Sequence, residues 1–417
     1  MKKLKLWQKT MIALFIGIVL GFIFSAMGGR EVGWIAVSMK ACSFVGGIYL
    51  RMLRMLSVPL VFACILNSVA KLGDLKQLTG LGIKTFLFFF VTSAISVVFG
   101  LIVTMLLKPG AGFTMEELSA ASYEATAEIN VLDSITNMFP VNIFASLTSG
   151  DMMQIIVFAI FAGIAMIILG EKVKVFASFI DNMESLMFKV TDLVLVFTPI
   201  GVLGLMTDTI ATYGSKVVGS LVTFIACDWI AALITIVVMY SIMLVFICRM
   251  NPFKFWAQFK EPIMIAIATL VSVATLPLGM KTCTEKIGVP KSTTDFVLPL
   301  GATANMNGTA VYFGLIVVFT CQLMGIQLSI SQYVILVIQS VLMAIGCAAV
   351  PSIALVLSAT LLTSFGLPIE AIGLVTGIHR IVNTAHTPTN VMGDWVTATC
   401  IASLDGTLDR EKCVAKL

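Results

Sequence analysis

Long apolar runs, each about the length of a bilayer crossing, constrain this chain more than any other feature of its sequence. They cover residues 10–27, 40–69, 82–107, 142–170, 178–212 and 216–248. A transmembrane helix needs about 20 mostly apolar residues. Because hydrophobic residues make up 59% of the chain and charged residues only 12%, a water-soluble globule is excluded. The sequence predicts an all-α polytopic membrane protein in the lipid bilayer.

Charges in the loops predict the orientation of these helices. Four lysines precede the first run, and basic residues follow the second, fourth and sixth runs, whereas acidic residues dominate the segment after the third. Lysine and arginine are enriched on the cytoplasmic side of membranes. We therefore expect a multi-pass protein of the plasma (inner) membrane with both termini in the cytoplasm. The basic residues are spread over short loops, so nucleic-acid binding is not indicated.

An apolar segment with polar insertions, residues 298–312 (LPLGATANMNGTAVY), follows these runs. Asn305, Asn307 and Thr309 interrupt it, and Gly301 and Gly308 weaken helical structure on either side. Non-helical backbone at membrane depth is tolerated only where it is buried in protein or lines a cavity. The segment predicts a broken membrane helix whose backbone carbonyls bind a ligand.

Two shorter apolar segments flank residues 298–312, and each contains a predicted turn, or tip, that is rich in small residues and proline. The tips read SVATLPLG at 272–279 and GCAAVPSIA at 346–354, with only about 15 apolar residues on either side of each. These lengths predict two re-entrant hairpins, at about 254–288 and 331–366. A hairpin with a neighbouring long helix then occurs twice, which is the inverted-repeat pattern of secondary transporters.

The last apolar span, about 370–402, carries a polar stripe. Six polar side chains fall on one helix face, namely His379, Asn383, His386, Thr387, Asn390 and Asp394. An intramembrane carboxylate is costly unless it is paired, solvated or bound to a cation. We interpret the stripe as part of a binding site. Asp228, in another apolar run, is expected to meet a neighbouring polar group or a water-filled crevice and receives no functional role.

Several motifs resemble the dicarboxylate/amino acid:cation symporter family, which includes the glutamate transporters. LPLGATANMNGT matches the family's LPLGATxNMDGT, NVMGD at 390–394 matches NVxGD, and both hairpin tips have counterparts. The resemblance covers nearly the whole chain. It implies a homotrimeric, elevator-type transporter whose protomers each have about eight transmembrane helices and two hairpins.

The resemblance also divides the chain into scaffold and transport parts. Residues 1–81 would supply scaffold helices 1 and 2, and residues 111–213 scaffold helices 4 and 5. Residues 82–110 would supply transport helix 3, and residues 214–417 the rest of the transport domain. The transport domain would move as a rigid body.

Cation sites are implied residue by residue. One sodium site would use the carbonyl of Gly301 with Asn305, Asn390 and Asp394. A second would use mainly carbonyls, those of Thr303, Met306, Ala344, Ile345 and Cys347. A third would use Thr92, Ser93 and Asn305 with an acidic residue, but Asn307 stands in its place and the missing charge weakens this third prediction. Oxygen ligands of this kind suit a hard cation.

The solute pocket departs further from the family pattern. Asn383 and His386 stand where acidic-amino-acid transporters have an aspartate and an arginine. This chain therefore lacks the arginine guanidinium, which is always charged and can form two hydrogen bonds to a carboxylate. The other implied solute contacts are Ser272, Val273, Thr309, Val350, Ala354, Thr387 and Asn390. We expect a pocket with less charge than that of the glutamate transporters.

These observations predict a secondary active transporter, with sodium-coupled symport of a small neutral or polar amino acid as the main hypothesis and no other cofactor. The first alternative is a proton-coupled symporter of a dicarboxylate or another small organic acid, with His379 and His386 as a proton relay. The second is an uncoupled channel or a solute receptor that does not transport. An enzyme is not indicated, because no nucleophile–base pair or metal-ligand spacing is present.

Overall fold

The fold, seen in a computed structural model, consists of helices and their connections, without strands, in the residues that the structure describes, which are 6–70, 78–111, 136, 138–345, 347 and 353–415. In the first half of the chain the helices are α1 Leu6–Ala26, α2 Gly33–Ala70, α3 Ile83–Leu107, α4 Ile143–Ser149, α5 Met152–Leu169, α6 Lys174–Leu195 and α7 Thr198–Tyr213. Helix α8, Ser215–Ile234, continues through a π-helical segment, Thr235–Tyr240, into α9, Ser241–Phe246.

The second half consists of shorter helices. They are α10 Pro252–Gln258, α11 Lys260–Thr269, α12 Leu276–Thr282, α13 Lys291–Ala304, α14 Asn307–Leu323, α15 Ile330–Ile345, α16 Ile353–Ser364, α17 Glu370–Thr376 and α18 His379–Leu404. Six helical stretches in the described part of the chain are long and apolar enough to cross a membrane, which confirms the polytopic all-α fold class.

Three of the predicted spans are interrupted. The span predicted over 142–170 divides at Gly150 and Asp151 into α4 and α5. The span predicted over 178–212 divides into α6 and α7, because Pro199 near the start of α7 has no N–H to continue the helical bonding pattern. The last span, predicted over 370–402, divides at Gly377 and Ile378 into α17 and α18. The polar stripe therefore begins at His379, the first residue of α18.

Both predicted hairpins have two short helical arms. The first consists of α11 and α12, joined through Leu270 in a left-handed conformation (φ 57°) and a 3₁₀ turn, Ser272–Thr275. The second consists of α15 and α16, and most of its tip lies outside the described residues. Arms of 7 to 16 residues are too short to cross a bilayer singly.

A hairpin followed by a broken helix pair occurs twice. The first hairpin precedes α13 and α14, which are separated at Asn305 and Met306, and the second precedes α17 and α18. This order agrees with the predicted repeat. It also brings two helix interruptions into one half of the molecule.

Helix α14 lies at the centre of this half. All residues from Asn307 to Cys321 are buried, and α14 packs against α3, α8, α15, α16 and α18. Helices α1, α2, α5, α6 and α7 pack mainly among themselves, with α1 against α7 and α2 against α5, α6 and α7. The predicted division into scaffold and transport parts remains a prediction, which this packing accommodates.

Close packing of α1 on α7 depends on Gly21. A Cβ atom at this position would lie 2.5 Å from the Cβ of Ile210. Gly21→Ala should therefore lower the melting temperature of the purified protein, although alanine favours a helix by about 0.5–1 kcal/mol over glycine. Gly47→Ala in α2 is the matched control, since a Cβ there meets nothing within 4 Å. Equal melting temperatures for the two variants would contradict the packing described here.

Candidate functional site

The predicted break in residues 298–312 is present at Asn305 and Met306. Their backbone angles, φ −108° and ψ 82° for Asn305 and φ −109° and ψ 54° for Met306, are not helical. Helix α14 then starts at Asn307, where Gly308 approaches α18 so closely that a Cβ would lie 2.6 Å from the Cα of His386. The absence of a side chain at Gly308 thus allows the break to lie directly against the polar stripe.

Asp394 and Asn305 form a buried cluster at this break. The amide nitrogen Nδ2 of Asn305 donates to Oδ1 of Asp394 at 2.8 Å and to the backbone oxygen of Asn390 at 3.4 Å. Gly301 packs so tightly on the carboxylate of Asp394 that any Cβ there would clash with it. Among the described residues no basic side chain pairs with Asp394, and the Oδ1 atom of Asn305 is buried without a hydrogen-bond partner.

This cluster fits a hard cation. A buried carboxylate without a cationic partner is costly in free energy, and a bound cation would remove that cost. The carboxylate of Asp394, the unpartnered oxygen of Asn305 and the nearby carbonyl of Asn390 are the oxygen ligands that such ions prefer. The side chain of Asn390 itself points elsewhere, since its Oδ1 accepts from the backbone N–H of Gly308 at 2.7 Å and its Nδ2 contacts the sulfur of Met306 at 3.0 Å.

Asn307 has a complete set of hydrogen bonds. Its Oδ1 accepts from the hydroxyl of Ser93 at 2.6 Å, and its Nδ2 donates to the hydroxyl of Tyr240 at 2.7 Å and to that of Thr92 at 3.4 Å. Tyr240 in turn donates to the backbone oxygen of Thr389 at 2.8 Å. The residues of the predicted third cation site are thus together, but the amide of Asn307 joins three helices where the family pattern has a carboxylate.

The residues of the predicted second cation site are divided between two elements that pack together, α13 and α15. Thr303 and Met306 lie at or near the break, and Ala344 and Ile345 end α15. The N–H of Cys347 donates to the carbonyl of Ala344 at 3.0 Å. The hairpin tip that would close this site lies largely outside the described residues.

Predicted solute contacts occupy both buried and open positions. Thr309 and Thr387 are buried, and Asn390 Nδ2 is 3.5 Å from the Thr309 hydroxyl. Ala354 is buried and its carbonyl accepts from Ser358. In the first hairpin tip Ser272 is buried and Val273 is 47% exposed. Val350 falls outside the described residues.

A cavity of about 250 Å³ reaches the polar stripe from the side of α1 and α7. Two predicted site residues, His379 and Asn383, line it, together with Arg380 and with Asp192 from α6. Its other lining residues are Leu6, Thr10, Met11, Leu195, Thr198, Leu355, Thr376 and Gly377. The volume is close to the lower end of the range for small-molecule pockets and suits a solute with few heavy atoms.

Asp228, for which the sequence predicts no functional role, lies against the polar stripe. Its Oδ1 atom lies 2.9 Å from Nε2 of His386, and both residues are at most 1% exposed. The second oxygen of Asp228 and Nδ1 of His386 are buried without hydrogen-bond partners. The expectation of a neighbouring polar group is met, and the carboxylate in the apolar run IACDWIAAL was the signal that could have assigned this residue.

The two histidines and Tyr312 form an aromatic cluster beside this pair. The ring of Tyr312 lies 5.3 Å from that of His379 and 5.5 Å from that of His386, and the two imidazoles are 6.4 Å apart. Nδ1 of His379 is also buried without a partner. The residues of the predicted proton relay are therefore neighbours, at a ring separation too long for a direct hydrogen bond.

Gly301 provides a test of the Asp394 cluster. Gly301→Ala should displace the carboxylate of Asp394 and lower the affinity for sodium at least tenfold, because the new methyl group enters the space beside Oδ1. Sodium-dependent thermal stabilisation of the purified protein measures this. Gly219→Ala in α8 is the matched control, because its Cβ meets nothing within 4 Å. Unchanged sodium affinity in Gly301→Ala would show that the cluster binds no sodium.

The buried pair of Asp228 and His386 predicts strong non-additivity. Removing one partner of a buried pair costs about 3–5 kcal/mol, because the other is left uncompensated. Asp228→Asn and His386→Gln should each lower the melting temperature clearly, while the double variant should lose less than the sum of the two. A thermal double-mutant cycle measures the interaction, expected at about 1–3 kcal/mol. Additive losses would mean that the two side chains do not interact.

Comparisons with known proteins agree with this architecture. The profile of the sodium:dicarboxylate symporter family matches residues 6–404. The chain is 32% identical to the proton/sodium-glutamate symport protein of Bacillus caldotenax, covering 99% of this chain and 97% of that protein. It is 30% identical to the proton/glutamate-aspartate symporter of Escherichia coli (strain K12), covering 98% of this chain and 94% of that protein.

A third relative transports a different class of solute according to its name. The C4-dicarboxylate transport protein of Anaeromyxobacter sp. (strain K) is 28% identical, covering 100% of this chain and 94% of that protein. The matches extend over the hairpins, the helix break and the polar stripe. With its helical membrane fold and a family match over nearly its whole length, this chain is a membrane transporter of small solutes rather than an enzyme, and it belongs to the sodium:dicarboxylate symporter family.

Proposed function

We propose that this transporter carries a small neutral or polar amino acid across the plasma membrane together with sodium. The observation that carries the sodium part is the Asp394 cluster. Its carboxylate is buried, has no basic partner among the described residues and lies beside an unpartnered amide oxygen and a broken helix. A monovalent cation bound there would neutralise Asp394 and would be carried with the half of the molecule that holds α13, α14 and α18.

The solute part rests on the charge of the polar stripe. The names of the relatives refer to glutamate, aspartate and C4-dicarboxylates, which are acidic solutes. At the two positions where the acidic-amino-acid transporters have an aspartate and an arginine, this chain has Asn383 and His386. Asn383 lines the cavity, and His386 lies one helical turn further along α18 against Asp228. A pocket without a permanent cation at this position favours a solute without a second carboxylate.

The proposed movement of the carrier is supported by the way its helices pack. Helices α1, α2 and α5–α7 form one packing group, and α3, α8, α11–α15 and α18 form another, while α16 contacts both groups and α17 contacts α2, α7 and α16. This packing is compatible with a scaffold and a mobile transport domain. We include in the proposal the homotrimer and the elevator motion that the family resemblance implies. Cytoplasmic termini follow from the loop charges.

A second candidate is proton-coupled transport of a small organic acid. It is favoured by the neighbouring buried imidazoles of His379 and His386, because an imidazole can both accept and donate a proton through its two ring nitrogens. This candidate predicts binding of acids that strengthens at low pH and does not require sodium. His379→Gln would then abolish transport.

Ligand-dependent melting separates the two candidates. A ligand that binds only the folded state stabilises it by mass action, by about 2.7 kcal/mol at a hundred times its Kd. We expect sodium, but not choline at the same ionic strength, to raise the melting temperature of the purified protein. A neutral amino acid such as L-alanine or L-serine should raise it further in sodium only. Stabilisation by succinate or L-glutamate alone, at low pH and without sodium, would instead support the proton-coupled candidate.

Asp394→Asn tests the sodium site itself. The variant should lose at least nine-tenths of the sodium-dependent stabilisation, since the negative charge that attracts the cation is gone. Asp295→Asn is the matched control, because Asp295 is an exposed carboxylate on α13 and its loss changes the net charge equally. Sodium stabilisation retained in Asp394→Asn, or lost equally in both variants, would refute the assignment.

A further inference from the structure

Asp228 and His386 form a buried hydrogen-bonded pair in the half of the molecule that contains α13, α14 and α18. Asp228 comes from α8 and His386 from α18, so the contact joins two elements that are far apart in sequence. Both side chains are buried, at 0% and 1% exposure. When His386 is protonated, the pair carries no net charge, whereas an imidazolium without Asp228 would leave a buried positive charge at this point of the stripe.

Other ionisable groups around the pair do not replace Asp228 as its counter-charge. His379 on α18, Tyr312 on α14 and Cys227 beside Asp228 on α8 are neutral in their ordinary states near neutral pH. Helix α3, which packs on α8, contributes one ionisable residue, Lys84, and this lysine pairs with Asp405. Helix α16, Ile353–Ser364, contains no ionisable residue. The nearby cavity has Asp192 and Arg380 in its lining, one charge of each sign.

We propose that Asp228 determines the charge class of the solute by acting as the internal counter-ion of His386. This inference rests on the proposed function, which places the solute on the stripe that contains His386. With Asp228 bonded to Nε2, a second carboxylate brought to the same imidazole would face a like charge in a poorly solvated site. A neutral polar group can instead accept or donate at the remaining unpartnered nitrogen, Nδ1.

The inference predicts that removing the carboxylate widens the accepted solutes. In Asp228→Asn the carboxylate of an acidic solute can take the place of Asp228 as the negative partner of the His386 imidazole. In sodium at about pH 6, the affinity for L-aspartate or succinate relative to L-alanine should rise at least tenfold over the wild type. Thermal stabilisation of the purified full-length chain with these three solutes measures the ratio.

Two further variants make the result specific. Asp228→Asn combined with His386→Gln should lose the gain for acids, since no imidazole remains to charge at that position. Asp295→Asn removes an exposed carboxylate of the same half and should behave like the wild type. An unchanged acid-to-alanine ratio in Asp228→Asn, or a gain that persists in the double variant or appears in Asp295→Asn, would overturn the proposal.

Nuclear magnetic resonance of the wild type tests the counter-ion independently of any destabilised variant. The chain has only two histidines, so ¹⁵N-histidine labelling yields two imidazoles, which His379→Gln assigns. We expect His386 to show an Nε2–H bonded to a carboxylate and His379 to lack this signature. An ordinary unbonded imidazole at His386 would refute the proposal.

The outcomes also separate this inference from the proposed function. Preference for L-alanine without any effect of sodium would contradict sodium coupling and leave the role of Asp228 supported. The role of Asp228 would be contradicted if the wild-type protein bound succinate tightly while nuclear magnetic resonance showed the hydrogen bond between Asp228 and His386. This holds even where binding depends on sodium.

Discussion

Burial of two carboxylates in an apolar membrane fold is the constraint on which the site depends. Asp228 and Asp394 are both at most 2% exposed, and neither can meet bulk water there. Asp228 is balanced by an imidazole from α18. Asp394 accepts a hydrogen bond from the amide of Asn305 and has no ion-pair partner among the described residues, which is why we propose that a cation binds there. This difference separates a buried carboxylate–imidazole pair from a site that fits an exchangeable cation.

The geometry around Asp394 depends on close backbone approach. Three glycines lie where a Cβ would collide with a group of the site. At Gly301 the Cβ would meet the Asp394 carboxylate, at Gly308 the His386 backbone, and at Gly393 the Tyr240 hydroxyl. The break at Asn305 and Met306 is therefore enclosed by protein, in agreement with the rule that irregular backbone at membrane depth has to be buried or line a cavity. Because α14 is buried along nearly its whole length, a shift of the break would change the packing of α14 against α3, α8 and α18 together.

Much of this architecture follows from local sequence. Apolar run lengths predicted the membrane helices, and the polar residues between Gly301 and Gly308 predicted the break, because these signals depend on composition within about 20 residues. The division between α6 and α7 was missed, since the apolar pattern continues through Pro199. The partner of Asp228 was also missed. It lies 158 positions away, and nothing in either segment alone identifies which of several polar residues on α18 faces α8.

Coupling is the central claim, and uptake driven by a sodium gradient tests it most directly. The purified protein would be reconstituted into liposomes with sodium outside and potassium inside, and accumulation of labelled L-alanine or L-serine followed. We expect the solute to accumulate inside the liposomes against its gradient, and this accumulation to collapse when choline replaces the outside sodium. With the membrane voltage clamped by potassium and valinomycin, a proton ionophore should not change the accumulation. Accumulation that ignores sodium and disappears with the ionophore would contradict it and would favour a proton as the coupling ion.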